Sequence, residues 1–80
     1  MKSLREWRMA AALSVMGLAF SAGVAPNTLM DIERGRRVPG YGTMRAISQA
    51  LGVGPHDIAE FAAAIEIRSS VRDRESSEIV

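Results

Sequence analysis

The stretch from Leu13 to Pro39, LSVMGLAFSAGVAPNTLMDIERGRRVP, constrains the fold of this chain more than any other, because it holds two helical signals separated by one chain-turning glycine. Leu13, Leu18, Ala19 and Ala22 have the spacing of one helical face. Gly23 ends that face, since glycine reaches positive φ without steric cost and can turn the chain sharply. Val24 follows as an apolar plug. A second helix can start at Ala25 or Pro26, because proline at a first helical position has no N–H to leave unbonded. In that helix Leu29 and Ile32 point inward. Asn27, Thr28, Met30, Asp31 and Arg34 fall on or beside the outward face, and Gly35, Arg36 and Arg37 form a basic exit loop. Function is expected on the outer side of this second helix.

These residues resemble the helix-turn-helix of the Cro and phage-repressor (Xre-type) family of DNA-binding domains. Ala19 matches the small position where the two helices touch, Gly23 the turn, Val24 the residue after it, and Leu29 and Ile32 the buried positions of the second helix. The run IERGRRVP, Ile32 to Pro39, is similar to the usual ending of the motif. Flanking helices stand in the right order, LREWR before and TMRAISQALGVGPHDI after, so the resemblance extends from about Leu4 to Phe61. It implies an all-α, five-helix lambda-repressor-like fold with the motif at helices 2 and 3. It also implies a sequence-specific transcriptional regulator, a repressor, that reads the major groove of double-stranded DNA as a homodimer.

Chemistry then ranks the outward residues. The Asn27 amide donates and accepts at once, matching N6 and N7 of adenine. Asp31 only accepts, which suits the N4 amino group of cytosine; it also repels phosphate, so it acts chiefly by excluding wrong sequences. Thr28 offers a hydroxyl or a methyl, Met30 only apolar contact, and Pro26 no backbone donor. Arg34, Arg36 and Arg37 are the expected phosphate clamps, with Arg45 and Ser14 as further candidates and Tyr41 and Thr43 within reach near the fourth helix start. The resemblance also implies that Arg8 pairs with Glu33, a structural ion pair fastening the first helix to the second motif helix. Three positions depart from the pattern. Val15 replaces a phosphate-bonding glutamine. Gly17 replaces an acid, removing a capping box and costing roughly 1 kcal/mol of helix propensity. Ala12 stands where relatives carry a residue tolerant of positive φ.

The 80 residues allow one domain with a modest core. There is no cysteine and a single histidine, His56, so neither a disulfide framework nor a metal site is expected, and no cofactor. No paired carboxylates, activated nucleophile or phosphate-cradling glycine loop can be assembled, so an enzyme is not expected. Net charge is only +1, but residues 1–45 carry seven Lys or Arg against three acids and residues 46–80 carry three against six. A polyanion should meet the front half. Lys2, Arg5 and Arg8 followed by MAAALSVMGLAF also resemble a secretory signal peptide, yet cleavage after Ala25 would leave half a motif. A cytoplasmic protein of bacterial or phage origin with no membrane partner is the expectation.

Around the motif, residues 2–11 predict a first helix with Leu4, Trp7, Arg8 and Ala11 at helical spacing. Met44, Ile47, Ala50 and Leu51 predict a fourth helix, started by Gly40 and stopped by Gly52. Ile58, Phe61, Ala62 and Ile65 predict a fifth, with His56 and Asp57 in its first turn. Val53, Ile58, Phe61 and Ile65 are the dimer candidates. The domain is expected over residues 1–67, and RSSVRDRESSEIV, residues 68–80, reads as a charged, flexible tail that a partner or an extended fifth helix would order. Two alternatives stay open: an antitoxin that binds both operator DNA and a toxin, and a protein-interaction module that keeps the fold without binding DNA.

Overall fold

The computed structural model describes the backbone of residues 1–79 and the side chains of residues 1–70. Five α-helices and one 3₁₀ turn follow in order: α1 Leu4–Ala10, α2 Val15–Ala22, α3 Pro26–Glu33, α4 Tyr41–Leu51, the turn Pro55–Asp57, and α5 Ala59–Ile79. No strand occurs among the described residues, so the all-α, five-helix architecture read from the sequence is the one observed.

Helix starts follow side-chain chemistry. Ser3 caps α1 through a full capping box: the Glu6 N–H donates to Ser3 Oγ at 3.1 Å and the Ser3 N–H donates to Glu6 Oε1 at 3.0 Å. α1 therefore begins at Leu4, later than expected, and Ala11 is its exposed C-cap rather than part of the buried stripe. Those bonds hold the exposed Glu6 carboxyl below its usual range, with the Ser3 N–H the largest cause. Ser14 caps α2 as expected, accepting from the Gly17 N–H at 2.9 Å. With no acid at Gly17, only that half of the box is made.

The end of α2 shows why Gly23 is needed. Its φ is 69°, its N–H donates to Phe20 O, and the next N–H, of Val24, reaches back to Ala19 O at 3.0 Å. This is a Schellman ending, which places one residue in the left-handed region. α1 ends in the same way without a glycine: Ala12 takes φ 56° while the Leu13 N–H bonds Arg8 O at 3.1 Å. The expectation for Ala12 is thus met by a strained alanine.

Leu4, Leu18, Ala19, Leu29, Ile32, Met44, Ile47, Ile58, Phe61 and Ala64 form one buried core, with Trp7, Leu13, Val15, Ala22, Val24, Ala50, Leu51, Val53 and Ile65 packed against it. Ile58 and Phe61, both fully buried, are therefore withdrawn as dimer candidates. A strap explains their burial: the Ala59 N–H donates to Lys2 O at 3.0 Å and the Leu4 N–H donates to Glu60 Oε1 at 2.8 Å, pinning the start of α5 to the N-terminus. Trp7 joins the same corner, donating to Asp57 O at 2.9 Å under the Lys2 ammonium, so it packs structurally.

Two further differences lie in the C-terminal half. His56 and Asp57 belong to the separate 3₁₀ turn rather than to α5, because Asp57 Oδ2 accepts from the Gly54 N–H at 3.0 Å and closes its own cap. The backbone of α5 also runs past Ile67 to Ile79 without a break at the expected domain boundary. The side chains of the expected tail beyond Ser70, Val71 among them, lie outside the described residues.

Candidate nucleic-acid interface

Between α2 and α3 the chain bends by 116°. Gly23 makes the bend and Pro26 restarts the helix at its first position after Ala25, which supplies no side-chain cap. Leu29 and Ile32 anchor the inner side of α3, fully buried. Helical geometry then assigns the outer side: Asn27, Met30, Asp31 and Arg34 share the outward arc, with Thr28 at one edge and Glu33 at the other.

Exposure follows that arc. Asn27 and Arg34 are exposed, while Pro26, Thr28, Met30 and Asp31 are half-buried. Asn27, Asp31 and Arg34 make no side-chain hydrogen bond or ion pair among the described residues, so their polar groups are unspent within the fold. Arg36 and Arg37 are exposed in the loop after α3, and Arg37 Nη1 donates to Thr28 Oγ1 at 3.4 Å. That long bond sets the loop beside the helix edge. Arg45 is exposed on α4, as is Ser14 at the start of α2, although the Ser14 oxygen already serves the cap. Val15 packs partly against the core and offers no polar group at the motif's start.

α3 is held from behind by Arg8. Its Nε donates to Glu33 Oε2 at 2.8 Å, Nη2 to Glu33 Oε1 at 3.1 Å, and Nη1 to Leu13 O at 2.9 Å. One guanidinium thus joins α1, the linker before α2 and the last residue of α3 in a bidentate pair. Only 13% of the Arg8 side chain and 9% of the Glu33 side chain remain accessible, so the pair is nearly desolvated. Glu33 raises the already high pKa of Arg8, and the guanidinium stays charged at any working pH.

Two contributors were missed in the sequence. Arg68 on α5 donates from Nε to Pro39 O at 2.9 Å and from Nη2 to Val38 O at 3.3 Å, with its guanidinium 5.9 Å from the Tyr41 ring. It supports the exit loop from below, within the stretch read as a tail. Arg5, exposed on α1, was not singled out. No group of three or more His, Cys, Asp or Glu that could hold a metal occurs among the described residues.

A helix-turn-helix domain family model matches residues 3–61, most of the chain and the whole of α1 to the start of α5. The chain belongs to the helix-turn-helix domain family. The match agrees with the Cro and phage-repressor resemblance and covers the residues that carry it. Comparison with curated proteins and with solved structures gave no match. In helix-turn-helix domains of this kind the second motif helix enters the major groove, which is the role that the position of α3 offers. No single helix among the described residues is long and apolar enough to cross a membrane.

Proposed function

We propose that this protein is a sequence-specific DNA-binding transcriptional repressor that acts as a homodimer. The observation that carries the proposal is the outward arc of α3, where Asn27, Asp31 and Arg34 have no partner among the described residues and Arg36 and Arg37 stand exposed alongside. The helix that carries these unpaired polar groups is itself anchored by Leu29, Ile32 and the Arg8–Glu33 pair. Asn27 reads adenine, Asp31 selects cytosine and excludes other bases, Met30 and Thr28 give apolar contact to thymine methyls, and Pro26 shapes the entry. Arg34, Arg36, Arg37 and Arg45 hold phosphates. Repression by occupying a promoter needs no surface beyond this one.

A single copy touches few base pairs, so specificity calls for two copies on half-sites about one turn, roughly 34 Å, apart. Val53 and Ile65, half-buried at the edge of the core, remain the dimer candidates. A second reading has its own support: Phe20, 91% exposed, and Met16, 66% exposed, lie one turn apart on α2 as an apolar pair that a protein partner would cover. In an antitoxin or interaction module that partner would be a toxin or another protein.

Selection of duplexes from a random pool by the purified protein tests the proposal, followed by titration of the winner against a scrambled control at several salt concentrations. A two-fold motif bound about a thousandfold more tightly than the control supports it. Enrichment of nothing, with only weak salt-sensitive binding, refutes it in favour of the protein-partner reading.

A further inference from the structure

A helix lying in the major groove runs between two sugar-phosphate strands. Basic groups are therefore needed along both of its edges. On the Thr28 edge of α3 the loop arginine Arg37 is in place, with Arg36 exposed next to it in the chain. On the opposite edge, at the start of α2, Val15 offers no polar group and the Ser14 oxygen already serves its own cap.

That opposite edge opens into a cleft of about 340 Å³ lined by Arg5, Arg8, Val15, Met30, Glu33 and Arg34. Its floor is the Arg8–Glu33 pair, in which both carboxylate oxygens are engaged and the two charges cancel. Arg5 from α1 and Arg34, the C-cap of α3, stand exposed at the rim, and neither has a hydrogen-bond or ion-pair partner among the described residues. The cleft thus holds two uncompensated guanidiniums beside the apolar Val15 and Met30 side chains. Guanidiniums bind phosphate oxygens through paired N–H donors, and two of them across one cleft suit a single monoanionic phosphodiester.

We propose that Arg5 and Arg34 together bind one DNA backbone phosphate over this cleft, so that Arg5, outside the helix-turn-helix itself, supplies the contact missing at Val15. The inference rests on the DNA-binding function proposed above. It assigns the strand on the Met30 and Glu33 side of α3 to α1, and the strand on the Thr28 side to the exit loop.

The test is the salt dependence of binding of the full chain to its selected duplex and to an unrelated one, for wild type, Arg5→Gln, Arg34→Gln and the double variant. Arg5 is exposed and makes no hydrogen bond or ion pair among the described residues, so Arg5→Gln should melt like wild type by circular dichroism. Arg5→Gln should weaken both duplexes by a common factor of about five and lower the slope of log K against log salt by only part of one phosphate's worth, because Arg34 still faces that phosphate. The double variant should lower the slope by about 0.9 in total, one phosphate's worth rather than two, because the two arginines share a phosphate, and Arg5→Lys should restore the wild-type slope. Unchanged affinity and slope for Arg5→Gln, in a wild type that binds its duplex, overturns this inference alone. A wild type that binds no duplex overturns the DNA function with it. Inorganic phosphate, titrated while observing the Arg5 and Arg34 Nε–H signals by NMR, separates the remaining source: saturation at submillimolar phosphate with no Arg5 effect on DNA would make this a free-anion site and overturn the DNA assignment.

Discussion

Replacing Ala12 with glycine should stabilise the domain. Ala12 occupies φ 56° at the end of α1, where its N–H bonds Met9 O at 3.0 Å and the Leu13 N–H bonds Arg8 O at 3.1 Å. Gly23 holds φ 69° in the same pattern, with bonds to Phe20 O at 3.2 Å and from Val24 to Ala19 O at 3.0 Å. An L-residue in the left-handed region costs about 1–2 kcal/mol. Glycine avoids that cost but gives the unfolded chain more freedom, worth about 0.4–1 kcal/mol against folding. The difference predicts that Ala12→Gly gains about 0.5–1 kcal/mol, or roughly 2 to 8 °C in Tm for a domain of this size. The converse substitution is a matched control: a Cβ added at Gly23 meets no atom within 4 Å, so Gly23→Ala acts through the backbone alone and should lose a similar amount. Urea and thermal unfolding of the two variants measure both numbers. A lower midpoint for Ala12→Gly, or no loss for Gly23→Ala, would refute the shared ending and the strain assigned to Ala12.

Five further outcomes are expected. Glu33→Ala strands a nearly buried Arg8 guanidinium and should cost about 3 kcal/mol, read as a lower urea midpoint with unchanged m-value. Phe61→Ala should cost about 3–5 kcal/mol as a core truncation, whereas Val53→Ser should shift the sedimentation of the protein toward monomer at a smaller loss of stability. Phe20→Lys, at an exposed position, should change stability by no more than about 0.5 kcal/mol, and a pull-down partner lost by this variant would support the protein-partner reading. Glu6 has a lowered folded pKa, so its capping contribution is present above the ordinary carboxylate pKa and is lost as pH falls through the lowered one; NMR titration should show Ser3→Ala moving Glu6 only part of the way back toward its ordinary value, because the backbone N–H at residue 3, the larger cause, is kept.

Local signals carried the motif, and distant contacts carried what was missed. Gly23, Pro26, Leu29 and Ile32 specify α2, the turn and α3 through φ preference and helical spacing, so these were legible in the sequence. The Ser3–Glu6 capping box was equally local, a serine three residues before a glutamate, but was hidden by counting Ser3 inside the helix. Arg68 meets Pro39 across 29 residues of sequence, and Arg5 meets the α3 edge only because α1 crosses behind the motif. Ile58 and Phe61 were dimer candidates from their place between the fourth and fifth helices, and periodicity marks an apolar face without saying what covers it; with the start of α5 bonded to Lys2, both are core. For the outward arc of α3, periodicity gave the positions, and only the fold showed which polar groups are left unpaired, Asn27 among them.

The claim that α3 reads base sequence is tested most directly by profiling base preference at every position of the selected duplex for wild type, Asn27→Ala and Arg36→Ala. Asn27→Ala should weaken the cognate site by roughly 1–3 kcal/mol and erase preference at one adenine, while Arg36→Ala should weaken all sequences alike and keep the profile. An Asn27→Ala profile identical to that of wild type would contradict the assignment of Asn27, and with it the outward arc of α3 as the reading surface.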